Sequence, residues 1–334
     1  MRKVKFLALL VTLVFTIGLV AGCAGQKDKA ADQGDQKAAA KYPEKPVNMV
    51  IAFTAGGSSD VQARIMQKYW NKYVDQPWVF VYKAGAGGAI GFAEIARSKP
   101  DGYTIGGVNV PHIVLQPIGQ GAQYKPEDFA YIAQVVTDPQ VLVVKKDSKF
   151  KSAKDVVEFA KANPEKLKVG ITGTYTGNHI ALLDFQDKAG IKVAQIVYKG
   201  AADLNAALLG GELDVMMGNY NDVMRSLDQM TILGIATAEK YKVLPDVPTL
   251  KEQGYDVVAD IRRGFVAPKS VSEDQLNFLR ETFKKIAEDP DYIKDMEKAG
   301  QPHDYLNGPE FEKYVMDQQA EAQAILGKFN LLKK

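Results

Sequence analysis

The feature that most constrains the fold of this chain is an alternation of short apolar runs with helical periods. Residues 47–53 and 78–82 have the pattern of strands, and residues 58–73 between them carry apolar side chains at helical spacing. The further predicted strands are residues 103–108, 131–136, 141–144, 167–171, 194–198, 213–217 and 232–237. Strands separated by helices are typical of parallel sheets with crossover connections, so the sequence predicts an α/β protein.

Helix start signals support the same pattern. Ser152 and Asp155 form a capping-box pattern before a helix that runs to residue 162, and Ser272 and Gln275 form another before a helix that Pro290 ends. Helices are also predicted at 88–97, from residues 178 and 203, and in two segments after residue 290, the last at about 309–327. The C-terminal helices have amphipathic faces but no sheet of their own, so we expect them to pack on the first part of the chain.

The length of 334 residues predicts about two domains. The chain is expected to cross between two lobes twice, near residues 134–144 and 260–268. Residues 42–139 with 265–334 then form lobe 1, and residues 140–264 form lobe 2. A cleft between lobes is the default place for a ligand.

The N-terminus has the pattern of an export signal. Residues 1–22 combine basic residues with an apolar stretch that is short for a membrane span. Residues 19–23 (LVAGC) resemble a lipobox, which would make Cys23 a lipidation site and anchor the chain to the cell membrane from the extracytoplasmic side. Residues 24–41 contain no large apolar residue and are predicted to be a flexible tether. The alternatives are a chance Cys after an ordinary signal peptide, or a buried apolar Cys.

Composition argues against several functions. Without Arg2, Lys3 and Lys5 of the signal, the chain has 39 basic and 40 acidic residues and no basic run, which gives no case for nucleic-acid binding. One Cys and three His are too few for a zinc ribbon, an iron–sulfur cluster or a Cys/His nucleophile pair, so we expect no metal. A dinucleotide motif fails at Ile90, where G-x-G-x-x-G needs its last glycine, so no cofactor is expected. No G-x-S-x-G elbow occurs, and we assign no catalytic residue.

Three strand-to-helix loops are rich in glycine and hydroxyl side chains. They are residues 53–60 (FTAGGSSD), 84–88 (AGAGG) and 172–177 (TGTYTG). Glycines let backbone amides approach a ligand, hydroxyls add donors, and helix N-termini favour anions. This chemistry suits a carboxylate, although each loop alone could be a simple connector. Asp60 is expected to be a first-turn helix charge; if it enters the pocket, the ligand should carry an ammonium or hydroxyl group.

A run of motifs in order resembles the solute-binding proteins of tripartite tricarboxylate transporters, the Bug-type receptors. The motifs are residues 53–60 with Arg64, 84–91 (AGAGGAIG), 99–104 (KPDGYT), 173–179 (GTYTGNH), 198–200 (YKG), 208–214 (LLGGELD) and 245–249 (PDVPT). The resemblance implies a two-lobed, periplasmic-binding-protein-like α/β fold of type II, with parallel-rich sheets flanked by helices and two crossovers. It also implies a non-enzymatic receptor that delivers a small organic acid of the di- or tricarboxylate class to a membrane permease. A monomer is the simplest expectation for a tethered receptor whose lobes must move.

The resemblance also implies a ligand site. Its main candidates are Gly57, Ser58 and Asp60 in lobe 1, and Thr174, Thr176 and His179 in lobe 2. Further candidates are Phe53 in the first loop and, at strand ends, Asn109, Thr137, Tyr198, Lys199 and Asn219. Tyr198 could equally be a core residue and Lys199 a solvated charge, and His179 is expected to brace its loop rather than touch the ligand.

One segment departs from the pattern of many relatives, because Arg262 stands where they have a tryptophan. If Arg262 or Arg263 faces the cleft, its guanidinium would clamp a second carboxylate; otherwise it is an exposed hinge charge. Two other functions stay open. One is a secreted enzyme on a similar fold, and the other is a receptor domain that signals to a membrane sensor.

Overall fold

The structure, a computed structural model, describes residues 42–333. The predicted signal peptide, Cys23 and the tether lie outside the described residues. The strands are β1 Val47–Ile51, β2 Trp78–Tyr82, β3 Thr104–Val110, β4 Phe129–Lys145, β5 Lys168–Ile171, β6 Ala194–Val197, β7 Val215–Asn219, β8 Met230–Ile235, β9 Asp260–Pro268 and β10 His303–Asn307. The α-helices are α1 Ser58–Tyr73, α2 Ala89–Arg97, α3 His112–Gly119, α4 Ala153–Ala162, α5 Gly177–Ala189, α6 Ala201–Leu209, α7 Tyr220–Met224, α8 Glu273–Ala287, α9 Pro290–Lys298 and α10 Gly308–Lys328.

The strands form a mixed sheet in the order β2-β1-β3-β9-β4-β7-β5-β6, with β8 and β10 also paired to β4. β1 is parallel to β2 and β3, and β5 is parallel to β6 and β7. Between these two parallel groups lie β9 and β4, which run antiparallel to each other and to their outer neighbours. The predicted α/β fold with helices flanking the sheet is confirmed, and β4 and β9 are the two segments that join the parallel groups of this mixed sheet.

The prediction of separate strands at residues 131–136 and 141–144 is wrong, because β4 is one strand of 17 residues that continues through Pro139. Proline has no amide proton to donate, so it suits a place with one strand neighbour. At Pro139 that neighbour is Asp260 of β9. On the other side of β4, β10 pairs only as far as Val136, and β7 begins to pair at Gln140.

Four apolar clusters pack against the sheet among residues 42–333. The first joins α1 to α8 and α9 through tightly packed aromatic rings, and Trp70, Trp78, Phe265 and Phe283 are almost fully buried in it. The second packs α4 and α5 on β5 and β7, with Val169 and Phe185 at its centre. Each buried aromatic removes roughly 150–250 Å² of surface from water, so both clusters hold their strands firmly. No helix among residues 42–333 is both long and apolar enough to cross a bilayer.

Candidate ligand-binding site

A small pocket lies where several parallel strands end and their following loops converge. In open α/β sheets, ligands bind beyond the carboxyl ends of the strands. The pocket is lined by residues at the ends of β3 and β7, by residues that follow β1, β3, β5, β6 and β7, and by one residue of β9. These are Phe53, Gly57, Ser58, Ser59, Asn109, His112, Thr172, Ala201, Asn219, Asp222 and Arg263. Loops from both parallel groups therefore contribute to one site.

The first loop reaches across to the opposite parallel group. The Ser58 hydroxyl donates a short hydrogen bond to Oδ1 of Asp222 in α7. Nη2 of Arg225 donates to the carbonyl oxygen of Gly56 at 3.0 Å, and Nε2 of Gln301 donates to the carbonyl oxygen of Ser58 at 3.0 Å. These bonds hold the start of α1 against α7, so the pocket wall is continuous at this point.

Buried amides connect the far wall of the pocket. Nδ2 of Asn219 donates to Oδ2 of Asp222 at 2.6 Å, and Nδ2 of Asn178 donates to Oδ1 of Asn219 at 3.1 Å. Asn178 also accepts a short hydrogen bond from the Thr172 hydroxyl and donates to Oε1 of Gln140 at 2.5 Å. Because these side chains are buried, the network fixes the position of the Asp222 carboxylate.

A buried ion pair forms the floor of the site. Nη1 of Arg263 lies 2.6 Å from Oδ2 of Asp138, and the two side chains are 2% and 0% exposed. Oδ1 of Asp138 accepts the backbone N–H of Asn221 at 3.1 Å. Burial raises the pKa of Asp138 to about 7, although the Arg263 guanidinium opposes the rise. Nε of Arg263 has no hydrogen-bond partner among residues 42–333, so this buried cation lines the pocket with a donor to spare.

His112 adds no positive charge to the pocket. Its ring is buried and packs edge-on to Phe53, with ring centres 5.9 Å apart. Burial, with a smaller contribution from the charge of Arg263, lowers the pKa of His112 to about 3. At neutral pH the ring is uncharged, and Arg263 is the cation among the residues that line the pocket.

The structure brings five of the predicted site residues together in this pocket, namely Phe53, Gly57, Ser58, Asn109 and Asn219. Asp60 lies outside it and braces the first loop. Its carboxylate accepts the Gly56 N–H at 2.8 Å, the Tyr82 hydroxyl at 2.7 Å and Nε of Arg64 at 3.1 Å. All of these partners belong to the β1–β2 region, so Asp60 acts as a first-turn helix charge.

Thr174 and Thr176 lie in the third loop and His179 in the first turn of α5, and none of the three is part of the pocket lining. The Thr176 hydroxyl caps α5 by accepting the His179 N–H at 3.2 Å, and Nδ1 of His179 accepts the Tyr175 N–H at 3.2 Å. Burial lowers the pKa of His179 to about 4. The second and third loops meet at Gly87, where an added Cβ would lie 2.7 Å from the Thr174 carbonyl oxygen.

The remaining predicted residues lie elsewhere. The Thr137 hydroxyl donates to Oδ2 of Asp304 at 2.5 Å, the Tyr198 hydroxyl lies 3.5 Å from Oε2 of Glu212, and Lys199 is exposed. Arg262 is not part of the pocket lining, and its guanidinium lies over the ring of Tyr314 at 4.0 Å. Of the two candidate arginines, Arg263 is therefore the one that lines the pocket.

His112, Ala201 and Asp222 are not named in the sequence analysis, which includes Ser59 and Thr172 only as members of the first and third loops. His112 begins α3, which follows β3 after a single residue and which the sequence analysis does not predict. Asp222 lies in α7, whose five residues are too short for a helical period to be visible. The signal that could have found both is their place just beyond strands β3 and β7.

A larger groove lies between α5 and α10, lined by Ile180, Ala181, Tyr314 and Ile325 and by the carboxylates of Asp184 and Glu321. It has no basic side chain in its lining. The smaller pocket is the better ligand site because buried donors converge there.

Residues 62–331 match the model of the tripartite tricarboxylate transporter family receptor. The chain is 31% identical to a UPF0065 protein from the gbd 5' region of Cupriavidus necator, over 89% of this chain and 91% of that protein. It is also 31% identical to the protein BugT of Bordetella pertussis, over 68% of this chain and 72% of BugT.

Solved structures agree in fold. The periplasmic binding protein BugD matches with a TM-score of 0.82 at 26% identity, covering 88% of this chain and 100% of that one. A protein of R. palustris solved with adipate matches with a TM-score of 0.81 at 21% identity, covering 86% of this chain and 97% of that one. The match to the family model over most of the chain, together with these relatives, shows that the chain belongs to the tripartite tricarboxylate transporter receptor family of two-lobed periplasmic solute-binding proteins.

Proposed function

We propose that this protein is a receptor that captures a small organic acid of the di- or tricarboxylate class in the pocket at the ends of β1, β3, β5 and β7. The observation that carries the proposal is Arg263, which lines that pocket as a fixed cation with an unpartnered Nε. A guanidinium next to hydroxyl and amide donors matches the geometry of a carboxylate.

The surroundings of Arg263 support binding rather than catalysis. The Ser58 hydroxyl donates to the Asp222 carboxylate and not to the neutral ring of His112, so no serine–histidine pair forms among residues 42–333. The donors and acceptors belong to loops from both parallel groups, as expected when two lobes close on a ligand. We infer reversible capture without turnover, and lobes formed by residues 42–139 with 265–334 and by residues 140–264.

The cellular setting belongs to the same proposal. A chain exported by residues 1–22 and anchored through a lipidated Cys23 would present this pocket on the extracytoplasmic side of the membrane, tethered by residues 24–41. There it would pass the acid to a permease of the tripartite tricarboxylate class as a monomer. Family membership and the carboxylate-compatible pocket support this placement.

A thermal-shift panel tests the proposal on the purified protein. Mono-, di- and tricarboxylates, amino acids and sugars are compared for their effect on Tm. A ligand at about 100 times its Kd adds about 2.7 kcal/mol of stability, which corresponds to a rise on the order of 5 °C in a protein of this size. We expect a rise only with compounds that carry a carboxylate.

A matched variant keeps the test specific to Arg263. The double substitution Asp138→Asn with Arg263→Met removes both charges together, so no buried charge is left without its partner. We expect this variant to fold and to lose the rise in Tm with carboxylates. The proposal is wrong if carboxylates raise the Tm of the double variant as much as they raise that of the wild type. It is also wrong if only sugars raise the Tm of the wild-type protein.

A further inference from the structure

The pocket contains a second charge of opposite sign to Arg263. Asp222 is 2% exposed and lines the same pocket. Its carboxylate accepts hydrogen bonds from the Ser58 hydroxyl and from Nδ2 of Asn219, and both of these donors are neutral. Among residues 42–333, Asp222 forms no salt bridge, whereas the guanidinium of Arg263 is already shared with Asp138.

This charge arrangement does not favour a purely anionic ligand. A second carboxylate placed near Asp222 would bring two like charges together in a buried site, where their repulsion is stronger than in water. A buried carboxylate without a cationic partner is costly, and a ligand that supplies the cation recovers part of that cost. A protonated amine is the group that complements both the charge of Asp222 and its acceptor oxygens.

The hydrogen bond between Ser58 and Asp222 also has a purely structural explanation, in which it serves only as a latch that joins α1 to α7. A latch alone needs no charge, because a neutral amide or hydroxyl at position 222 could accept the same hydrogen bond. The latch and a cation site therefore differ in what the loss of the charge should do. Loss of a latch would weaken the binding of all ligands alike, whereas loss of a cation site would weaken only ligands that carry an amine.

We propose that the ligand of this pocket is an amino acid, whose carboxylate lies at Arg263 and whose ammonium group donates to Asp222. The inference rests on the proposed function, because it refines which organic acid the same pocket selects. Amino dicarboxylates fall within this class, since their second carboxylate can lie away from Asp222.

The test uses ligands that differ in a single group. Aspartate, malate and succinate share two carboxylates and differ only in an ammonium, a hydroxyl or a hydrogen at one carbon; glutamate, 2-hydroxyglutarate and glutarate form a second such set. Titration calorimetry of the wild-type protein should show the amino member binding about 10- to 100-fold tighter than its amine-free counterparts, as expected for a charge-assisted hydrogen bond.

Variants assign that preference to the carboxylate. Asp222→Asn keeps the shape and an acceptor oxygen for Ser58 but removes the charge, and Asp222→Ser is a second neutral variant in case the first does not fold. Both should lose the preference for the amine while binding of succinate and glutarate stays equal or improves. Asp203→Asn, an exposed position at the start of α6, is the matched control and should keep the wild-type preference.

The possible failures are distinguishable. If succinate or malate binds as tightly as aspartate in the wild-type protein, and glutarate as tightly as glutamate, the amine inference is overturned while carboxylate binding stands. An equal loss for all members of a set in Asp222→Asn also overturns it, in favour of the latch. If no carboxylate of either kind binds, the proposed function itself fails.

Discussion

His112 makes the stability of this protein depend on pH in a way that one substitution can isolate. The imidazole is buried beside Arg263, and its pKa falls from the ordinary value of 6.5 to about 3. In the unfolded chain the ring regains a proton below pH 6.5, but in the folded protein it stays neutral down to about pH 3. The unfolded state therefore binds more protons throughout this window, and the free energy of unfolding falls as the pH falls.

The size of the effect follows from the shift. Each pH unit below 6.5 costs about 1.4 kcal/mol until the folded-state pKa is reached, so at pH 5 this one ring has removed about 2 kcal/mol. His112→Gln removes the titrating group and keeps a polar side chain. At pH 7.5 the ring is neutral in both states, so any difference between variant and wild type there reports packing alone. Relative to the wild type, the variant should gain about 2 kcal/mol between pH 7.5 and pH 5.

Urea unfolding followed by tryptophan fluorescence measures this difference. Trp70 and Trp78 are the two tryptophans of the chain, and both are buried in the cluster of α1 and α8, so unfolding changes the environment of both. The slope of free energy against urea should match between the two proteins. If the difference in free energy of unfolding between variant and wild type stays constant from pH 7.5 to pH 5, His112 is hydrated or charged in the folded protein. Arg263 would then not be the one cation in the pocket lining.

Two further substitutions test how the loops are held. Gly87→Ala places a Cβ 2.7 Å from the Thr174 carbonyl oxygen at a φ of +63°, so it should lower stability by about 1–3 kcal/mol and weaken ligand binding. The control is Gly107→Ala, whose Cβ would meet nothing within 4 Å and which should bind ligand normally. Equal ligand binding by the two variants would show that the contact between Gly87 and Thr174 does not matter. Asp60→Asn keeps one acceptor oxygen, whereas the Tyr82 hydroxyl and the Gly56 N–H use both oxygens of the carboxylate. Urea unfolding should therefore show that the free energy of unfolding falls by about 1–3 kcal/mol. A fall below about 0.5 kcal/mol, the usual scatter for surface changes, would show that Asp60 does not brace the loop.

The parts of the fold that could be predicted are those with a local period. The helices α4 and α8 begin at capping serines, and α1, α4 and α8 all carry apolar side chains on one face, so their positions follow from the sequence. β4 could not be predicted as one strand, because Pro139 is a strand breaker unless one side of the strand is unpaired. That condition depends on where β7 and β10 lie, which no local pattern contains.

The residues of the site likewise divide into those with a local signal in the sequence and those that depend on distant parts of the chain. Gly57 and Ser58 could be predicted because a glycine and a hydroxyl before a helix are a local signal for anion binding. The pairing of Asp138 with Arg263 joins residues that are far apart in the chain, and only the register of β4 against β9 brings them together. The roles of Asp60 and Asp222 differ for the same reason: both are helix carboxylates in the sequence, but one faces its own loop and the other faces the pocket.

Titration calorimetry of the wild-type protein with the acid that most raises its Tm tests most directly whether this chain is a reversible organic-acid receptor. The ligand is then recovered by denaturing the complex and identified by chromatography and mass spectrometry. We predict one site per chain and full recovery of the ligand unchanged. Absence of binding heat with every carboxylate, or recovery of a converted product, would contradict the receptor function.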